Sequence, residues 1–149
     1  MTHRTGVSAP HIDLIGGIVH QTIPATLTAS GSTVDSFWLY DRSEPWSIHL
    51  SVATGGVRVR WLFDRELLSR GLDHWAGSGD VRIGPGPGRG RGPRTTVIHL
   101  VARRTVVPAL LDTHALEAFL RATTRLIGLG QESRGIDWDG QLAGLLSND

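Results

Sequence analysis

The sequence predicts an α+β domain, mostly antiparallel, whose strands precede two C-terminal helices. Three observations carry that expectation. Trp46, Ile48, Leu50 and Val52 alternate with Ser47, His49 and Ser51, the pattern of a strand with one face in a core. Gly55-Gly56 separates this run from Val57, Val59, Trp61 and Phe63, which alternate in turn, so the two runs read as a hairpin with a two-residue loop. From Leu116 onward the apolar period changes from two to about 3.6, with Leu116, Phe119, Leu120, Thr123 and Ile127 on one helical face.

From the N-terminus, residues 1–15 are expected to form a flexible tail, polar and small through Pro10, ahead of a single domain over residues 16–149. Asp13 to Val19 and Thr22 to Thr28 read as one or two strands. Pro24 assigns that part to a sheet edge or a bulge, because proline has no N–H for a ladder. Ala29 to Ser32 is a turn, Phe37 to Tyr40 a strand with large groups on both faces, and Asp41 to Pro45 a turn by composition. Pairing across Gly55-Gly56 puts His49, Arg58 and Arg60 together on the face away from the core. That face is a candidate partner surface, although a merely solvated face is the commoner fate of such residues.

Trp61 to Leu72 reads as the end of a strand, a short helix and a stop. Asp64 caps the helix by accepting orphan N–H groups, and Gly71 ends it in the left-handed conformation that a Cβ would penalise. Gly77 and Gly79 turn the chain into a strand at Val81 to Ile83. Gly84 to Arg94 holds only Gly, Pro and Arg, and is expected to be a long mobile hairpin loop leading to the strand Thr95 to Val101. Ala102 to Arg104 is a tight turn, and Thr105 to Leu111 a strand with Pro108 at an edge or bulge. Asp112 or Thr113 caps the main helix, Glu117 and Arg121 lie one turn apart on its outer side, and Gly128 and Gly130 stop it. Behind Asp137, Trp138 to Leu146 forms a last amphipathic helix with Trp138, Leu142, Leu145 and Leu146 on one stripe.

Composition narrows the chemistry. The chain of 149 residues has no cysteine, which removes disulfides, thiolate metal sites and cysteine nucleophiles. No apolar run approaches the roughly 20 residues needed to span a bilayer, and the N-terminus lacks the pattern of a secretion signal; a cytoplasmic protein is expected. The seven histidines make no His-x-His or His-Glu-x-x-His pattern. Ser78 lies in Gly77-Ser78-Gly79 without the strained strand-to-helix turn a nucleophile needs, and no Gly-Lys-Ser/Thr follows the glycines of residues 84–92. No catalytic set, metal site or cofactor site is expected. Arg89 and Arg91 sit in an Arg-Gly-Arg-Gly run like those that bind RNA, but it occurs once and without aromatic residues. With a formal net charge of +1, nucleic acid is an unlikely partner. A single-stranded nucleic-acid binder using this loop and the sheet face is the alternative function.

The stretch Trp61-Leu62-Phe63-Asp64-Arg65-Glu66-Leu67-Leu68-Ser69-Arg70-Gly71-Leu72, followed by Gly77-Ser78-Gly79-Asp80-Val81-Arg82-Ile83-Gly84-Pro85, resembles the SsgA-like family of actinobacterial sporulation and cell-division regulators, and within it the SsgB branch. Trp61, Phe63, Arg65, Glu66, Leu67, Leu68, Gly71 and Leu72, then Gly79, Asp80 and Val81, carry the pattern. Leu39-Tyr40-Asp41, Leu116 to Leu120 with Thr123, Gly130, Glu132, and Asp137 to Leu146 extend it, so the resemblance runs from about Ser36 to Leu146. Pro45-Trp46 matches as well, with tryptophan where the family usually has tyrosine, and three features depart from the pattern: the glycine- and arginine-rich loop, Pro108 within a family strand, and an N-terminal tail with no evident counterpart.

The resemblance implies a whirly-like fold of two packed antiparallel sheets with C-terminal helices, a homotrimer, and no enzymatic activity. It implies an adaptor at the division septum that positions the tubulin-like GTPase FtsZ or works through SsgA-like paralogues or septal membrane proteins. The signature residues then serve the scaffold, with Arg65 and Glu66 in internal roles. Partner contacts fall to His49, Arg58, Arg60, Arg89 and Arg91, and trimer contacts to exposed apolar groups such as Trp46 and Trp138.

Overall fold

Among the described residues, alternating apolar residues build eight strands, and every strand pair is antiparallel. The computed structural model describes residues 8–87 and 92–135. Its elements are β1 (His11–Asp13), β2 (Ile18–Leu27), β3 (Thr33–Asp41), β4 (Ser47–Thr54), β5 (Val57–Asp64), α1 (Arg65–Gly71), β6 (Val81–Pro85), β7 (Thr95–Ala102), β8 (Thr105–Asp112) and α2 (Thr113–Leu126), followed by a 3-10 turn at Glu132–Gly135. The α+β, mostly antiparallel expectation holds. The last predicted helix, Trp138 to Leu146, lies outside the described residues.

Where two sheets were expected, hydrogen bonding makes one, in the order β5-β4-β3-β2-β8-β7-β6, with β1 added beside β2. The two halves join through a narrow seam, Thr26 opposite Leu110 and Leu27 opposite Ala109. So short a ladder lets the halves fold toward each other. Across the gap, Trp61 Nε1 on β5 donates to the Val101 carbonyl of β7 at 3.0 Å. Trp38, Trp61, Leu100 and Ala109, one from each of β3, β5, β7 and β8, help line a wholly apolar cavity of about 90 Å³ between the halves. Trp38 anchors the interior, edge-on to Phe63 at 6.0 Å and to Phe119 of α2 at 5.8 Å.

The segment expected as a tail is partly ordered. His11–Asp13 pairs with Ile18–His20, and Gln21 Nε2 donates to the Ser8 carbonyl at 2.7 Å. The cause is β2, a single ten-residue strand whose second side would otherwise be bare at this end. Pro24 falls where β2 has β3 on one side and neither β1 nor β8 on the other, so its missing N–H removes no ladder bond there. Gly84 and Pro85 also leave the expected loop: they complete β6, opposite Val97 and Thr96. Gly84 is needed because the Trp75 ring occupies the space a Cβ would fill.

Both helices start as predicted: Asp64 accepts from Glu66 N at 2.9 Å and Asp112 from His114 N at 3.0 Å. Gly71 serves differently. It has no left-handed φ, and Leu72 behind it is right-handed. Its role is close approach: an added Cβ would lie 2.5 Å from Ile83 Cβ of β6. Glu117 meets Arg94 at 3.7 Å, across from the loop, in place of its helical neighbour Arg121.

Candidate functional site

The signature stretch is a clamp inside the fold. Arg65, the first residue of α1, is wholly buried. Its guanidinium lies 4.8 Å from the Tyr40 ring and donates to Thr123 Oγ1 (3.3 Å), the Ile127 carbonyl (2.6 Å), the Gly128 carbonyl (3.1 Å) and Glu132 Oε2 (2.6 Å). The end of β5 is thereby fastened to the chain beyond α2. Burial alone would raise the Glu132 carboxyl. The Arg65 hydrogen bond, the Glu132 and Gly130 backbone groups and the Arg65 charge outweigh it and hold Glu132 below the ordinary carboxylate value. The Tyr40 hydroxyl, which donates to the Pro45 carbonyl at 2.8 Å, is pushed up by burial and by the Glu132 charge, with Arg65 opposing. Arg65 therefore has the internal role expected of it. Its partner, Glu132, stands 67 positions away in sequence, while Glu66 is exposed on α1.

The remaining signature residues divide by depth. Phe63, Leu67, Leu68, Gly71, Leu72 and Val81 are buried, Trp61 is half-buried, and Gly79 and Asp80 are exposed in the turn before β6. Gly79 takes a left-handed φ of 82°. The Asp80 carbonyl accepts from Val101 N at 2.9 Å, which ties this turn to β7.

Of the expected partner residues, His49, Arg58 and Arg60 lie on one face. Both Gly55 and Gly56 have positive φ, 58° and 78°, so the hairpin closes on a two-residue loop and fixes the register. His49 then stands opposite Leu62, Ser51 opposite Arg60 and Ala53 opposite Arg58. On β3, Phe37 pairs with Ser51 and Leu39 with His49, which puts both on this same face. The result is a shallow groove of about 460 Å³ over β2 to β5, with a floor of half-buried Phe37 and Leu39. Leu62 is 60 % exposed at its margin. Arg58 lies 5.1 Å over the Phe37 ring, and His49 Nε2 meets Glu44 Oε2 at 2.7 Å. Sequence reasoning found the charged members and missed the apolar ones. The alternation of Phe37 and Leu39 was visible, but their face depends on the β3–β4 register.

Of the other expected contact residues, Trp46 alone is among those described. Trp46 precedes β4 instead of extending its core face, and is 45 % exposed. Arg89, Arg91 and Trp138 lie outside the described residues. A second exposed tryptophan, Trp75, lies 5.0 Å from the His99 ring and 5.7 Å from the Arg82 guanidinium. Among the described residues no cluster of His, Asp or Glu could hold a metal ion, and no helix is long and apolar enough to cross a membrane.

The described residues thus form a sheet folded on itself, clamped by a buried Arg–Glu pair and presenting a basic, partly apolar outer face. The chain belongs to the SsgA family, described as Streptomyces sporulation and cell division protein SsgA, which it matches over residues 34–132. It is similar to the sporulation-specific cell division protein SsgB of Streptomyces coelicolor, with 35 % identity over 111 residues, 72 % of this chain and 78 % of that one. SsgB of Kineococcus radiotolerans is 30 % identical over 122 residues, 82 % of this chain and 74 % of its own. The crystal structure of an SsgA-like sporulation-specific cell division protein from Thermobifida fusca superposes with a TM-score of 0.75 at 28 % identity, covering 87 % of this chain and 96 % of that one. The SsgB resemblance read from Trp61 to Pro85 is thus confirmed. The family match ends at Glu132, the residue that closes the Arg65 clamp.

Proposed function

We propose that this chain is a non-enzymatic adaptor in sporulation-specific cell division, working in the cytoplasm at the division septum, where it binds a protein partner and supports placement of the FtsZ ring. The observation that carries this reading is membership of the SsgA family, with relatives that are themselves named sporulation-specific cell division proteins. The geometry supports it through the outer face of β2 to β5, which offers cations, an exposed leucine and a groove floor of half-buried apolar side chains, the composition of a protein-binding patch. FtsZ, an SsgA-like paralogue or a septal membrane protein is the partner class the family resemblance supplies. Self-assembly into a homotrimer with a whirly-like fold belongs to the same reading, and Trp46 is an exposed apolar residue available to it.

Co-sedimentation with polymerised FtsZ is the direct test. The protein is expected to pellet with the polymer and to increase its yield, and no change, alone or with a paralogue, removes the FtsZ reading. Light scattering tests the assembly: one oligomer of three chains, independent of concentration, is expected, and a clean monomer contradicts it.

A further inference from the structure

The strand that borders the groove also ends the sheet. Among the described residues β5 pairs with β4 alone. A two-residue hairpin makes Thr54 and Val57 the first hydrogen-bonded pair, and such pairs recur at every second position. The bond from Arg65 N to the Trp46 carbonyl, 2.7 Å, continues the series past the end of β5. Val57, Val59, Trp61 and Phe63 therefore turn their backbone groups toward β4, and Arg58, Arg60 and Leu62 turn theirs outward. Among the described residues these outward groups have no hydrogen-bond partner. The opposite end of the sheet is covered, since Ala76 exchanges both backbone bonds with Ile83 of β6 at 2.9 and 3.0 Å. A crevice of about 370 Å³ runs along β5, between Val57, Val59, Arg60 and Trp61 on one side and Asp80, Val101 and Arg103 on the other.

We propose that the β5 edge takes up an extended acidic segment of a partner protein as an added antiparallel strand. This rests on the adaptor reading above and supplies its binding mode. Backbone bonds to Arg58, Arg60 and Leu62 give affinity, and alternate side chains give specificity. The residues with open backbone groups also point their side chains into the groove. A strand laid antiparallel meets Leu62, then Arg60, then Arg58, so its groove-facing positions read apolar, x, acidic, x, acidic. The x positions face the crevice, where Val57, Val59 and Trp61 favour apolar groups and Asp80 disfavours a further carboxylate. The charge is complementary. Neither arginine has a carboxylate within ion-pair distance among the described residues, whereas Glu44 is engaged by His49 and Asp64 by the α1 cap.

The test uses the full chain and a labelled peptide with leucine, valine, aspartate, valine, aspartate between serine ends, followed by fluorescence anisotropy. Binding is expected to weaken as salt rises. The Arg58→Glu/Arg60→Glu variant should bind about tenfold or more weakly, and Arg58→Lys/Arg60→Lys within a fewfold of the parent. Methylating the three peptide backbone nitrogens that face β5, those of the leucine and both aspartates, should abolish binding without touching the protein. Equal binding of the methylated peptide, or of a peptide with lysine for aspartate, overturns the proposal. So does a response to single-stranded oligonucleotides and none to the peptide. Hydrogen exchange gives a second readout: the Arg58, Arg60 and Leu62 amides should exchange fast in the free protein and slowly with peptide. Slow exchange in the free protein overturns the proposal, because the edge is then already covered by the chain itself or by a second copy. Peptide binding of the predicted pattern upholds the edge site even where FtsZ fails to co-sediment, so the two readings fail separately.

Discussion

Arg65→Met is the sharpest probe of the clamp that holds this fold. Methionine keeps much of the side-chain volume and helix propensity but removes the charge and all the donors. The Glu132 side chain, only 10 % exposed, is left without its counter-charge, and the Ile127 and Gly128 carbonyls lose their donors. Breaking one side of a buried pair costs about 3–5 kcal/mol, which in a domain of this size lowers the melting temperature by roughly 6–20 °C. Urea unfolding followed by tryptophan fluorescence reads the loss as a lower midpoint at unchanged slope. The pH dependence supplies the second check. The Glu132 carboxyl is held below its ordinary value, so its contribution is fully present above that value, about 4.3, and disappears as pH falls through the depressed folded value. In the variant the same carboxyl is buried without its partner and takes up a proton at higher pH, which relieves the penalty. The stability gap between parent and variant should therefore narrow from pH 7 toward pH 4. A loss below about 1 kcal/mol, the range of an exposed pair, or a gap that stays constant on acidification, refutes the clamp.

Three further outcomes are expected. Trp61→Phe should lose about 1 kcal/mol through the missing bond to the Val101 carbonyl, and Trp61→Ala about 3 kcal/mol, the low end for a tryptophan because this one is half-buried; denaturant midpoints check both. Gly71→Ala should destabilise by about 1–3 kcal/mol, because the added carbon collides with Ile83 on β6; a neutral result in the same assay would mean that α1 and β6 can separate freely. Arg103 and Arg104 form the β7–β8 turn with left-handed φ of 49° and 65°, so Arg103→Asn/Arg104→Gly should raise the midpoint, by about 1 kcal/mol, and a fall would show that these arginines make contacts worth more than the turn strain.

Local pattern was legible in the sequence and long-range closure was not. The Gly55-Gly56 hairpin, the Asp64 and Asp112 caps and the buried stripe of α2 each depend on residues a few positions apart, and each formed as read, except that α2 ends at Leu126 and Ile127 caps it in an extended conformation. The single folded sheet depends on Thr26 and Leu27 meeting Leu110 and Ala109, pairs more than 80 positions apart, which no local period encodes. Gly71 reads as a left-handed helix stop because its place in the chain favours that role. Its actual constraint, the Ile83 side chain, arrives from a different strand. The same holds for the candidate face: His49, Arg58 and Arg60 could be aligned from one hairpin, but Phe37 and Leu39 join them only through the β3–β4 ladder.

β5 explains how a scaffold signature and a partner surface occupy one stretch of chain. Its side chains alternate, so Trp61 and Phe63 turn toward the interior while Arg58, Arg60 and Leu62 are free on the other face. A slip of one residue against β4 would exchange the two sets, carrying arginines into the core and aromatic rings into water. Both ends of the strand are pinned against that slip, by the left-handed pair Gly55-Gly56 at its start and by the Asp64 cap and the Arg65–Glu132 clamp at its end. Residues that never touch a partner thus fix which side chains and which backbone groups a partner can reach. Arg65→Met should accordingly weaken peptide capture at the β5 edge in proportion to the population it unfolds or shifts, whereas Arg58→Glu/Arg60→Glu should weaken capture while lowering the melting temperature only by the small loss of the Arg58–Phe37 contact, and it is this separation that tells the scaffold from the surface.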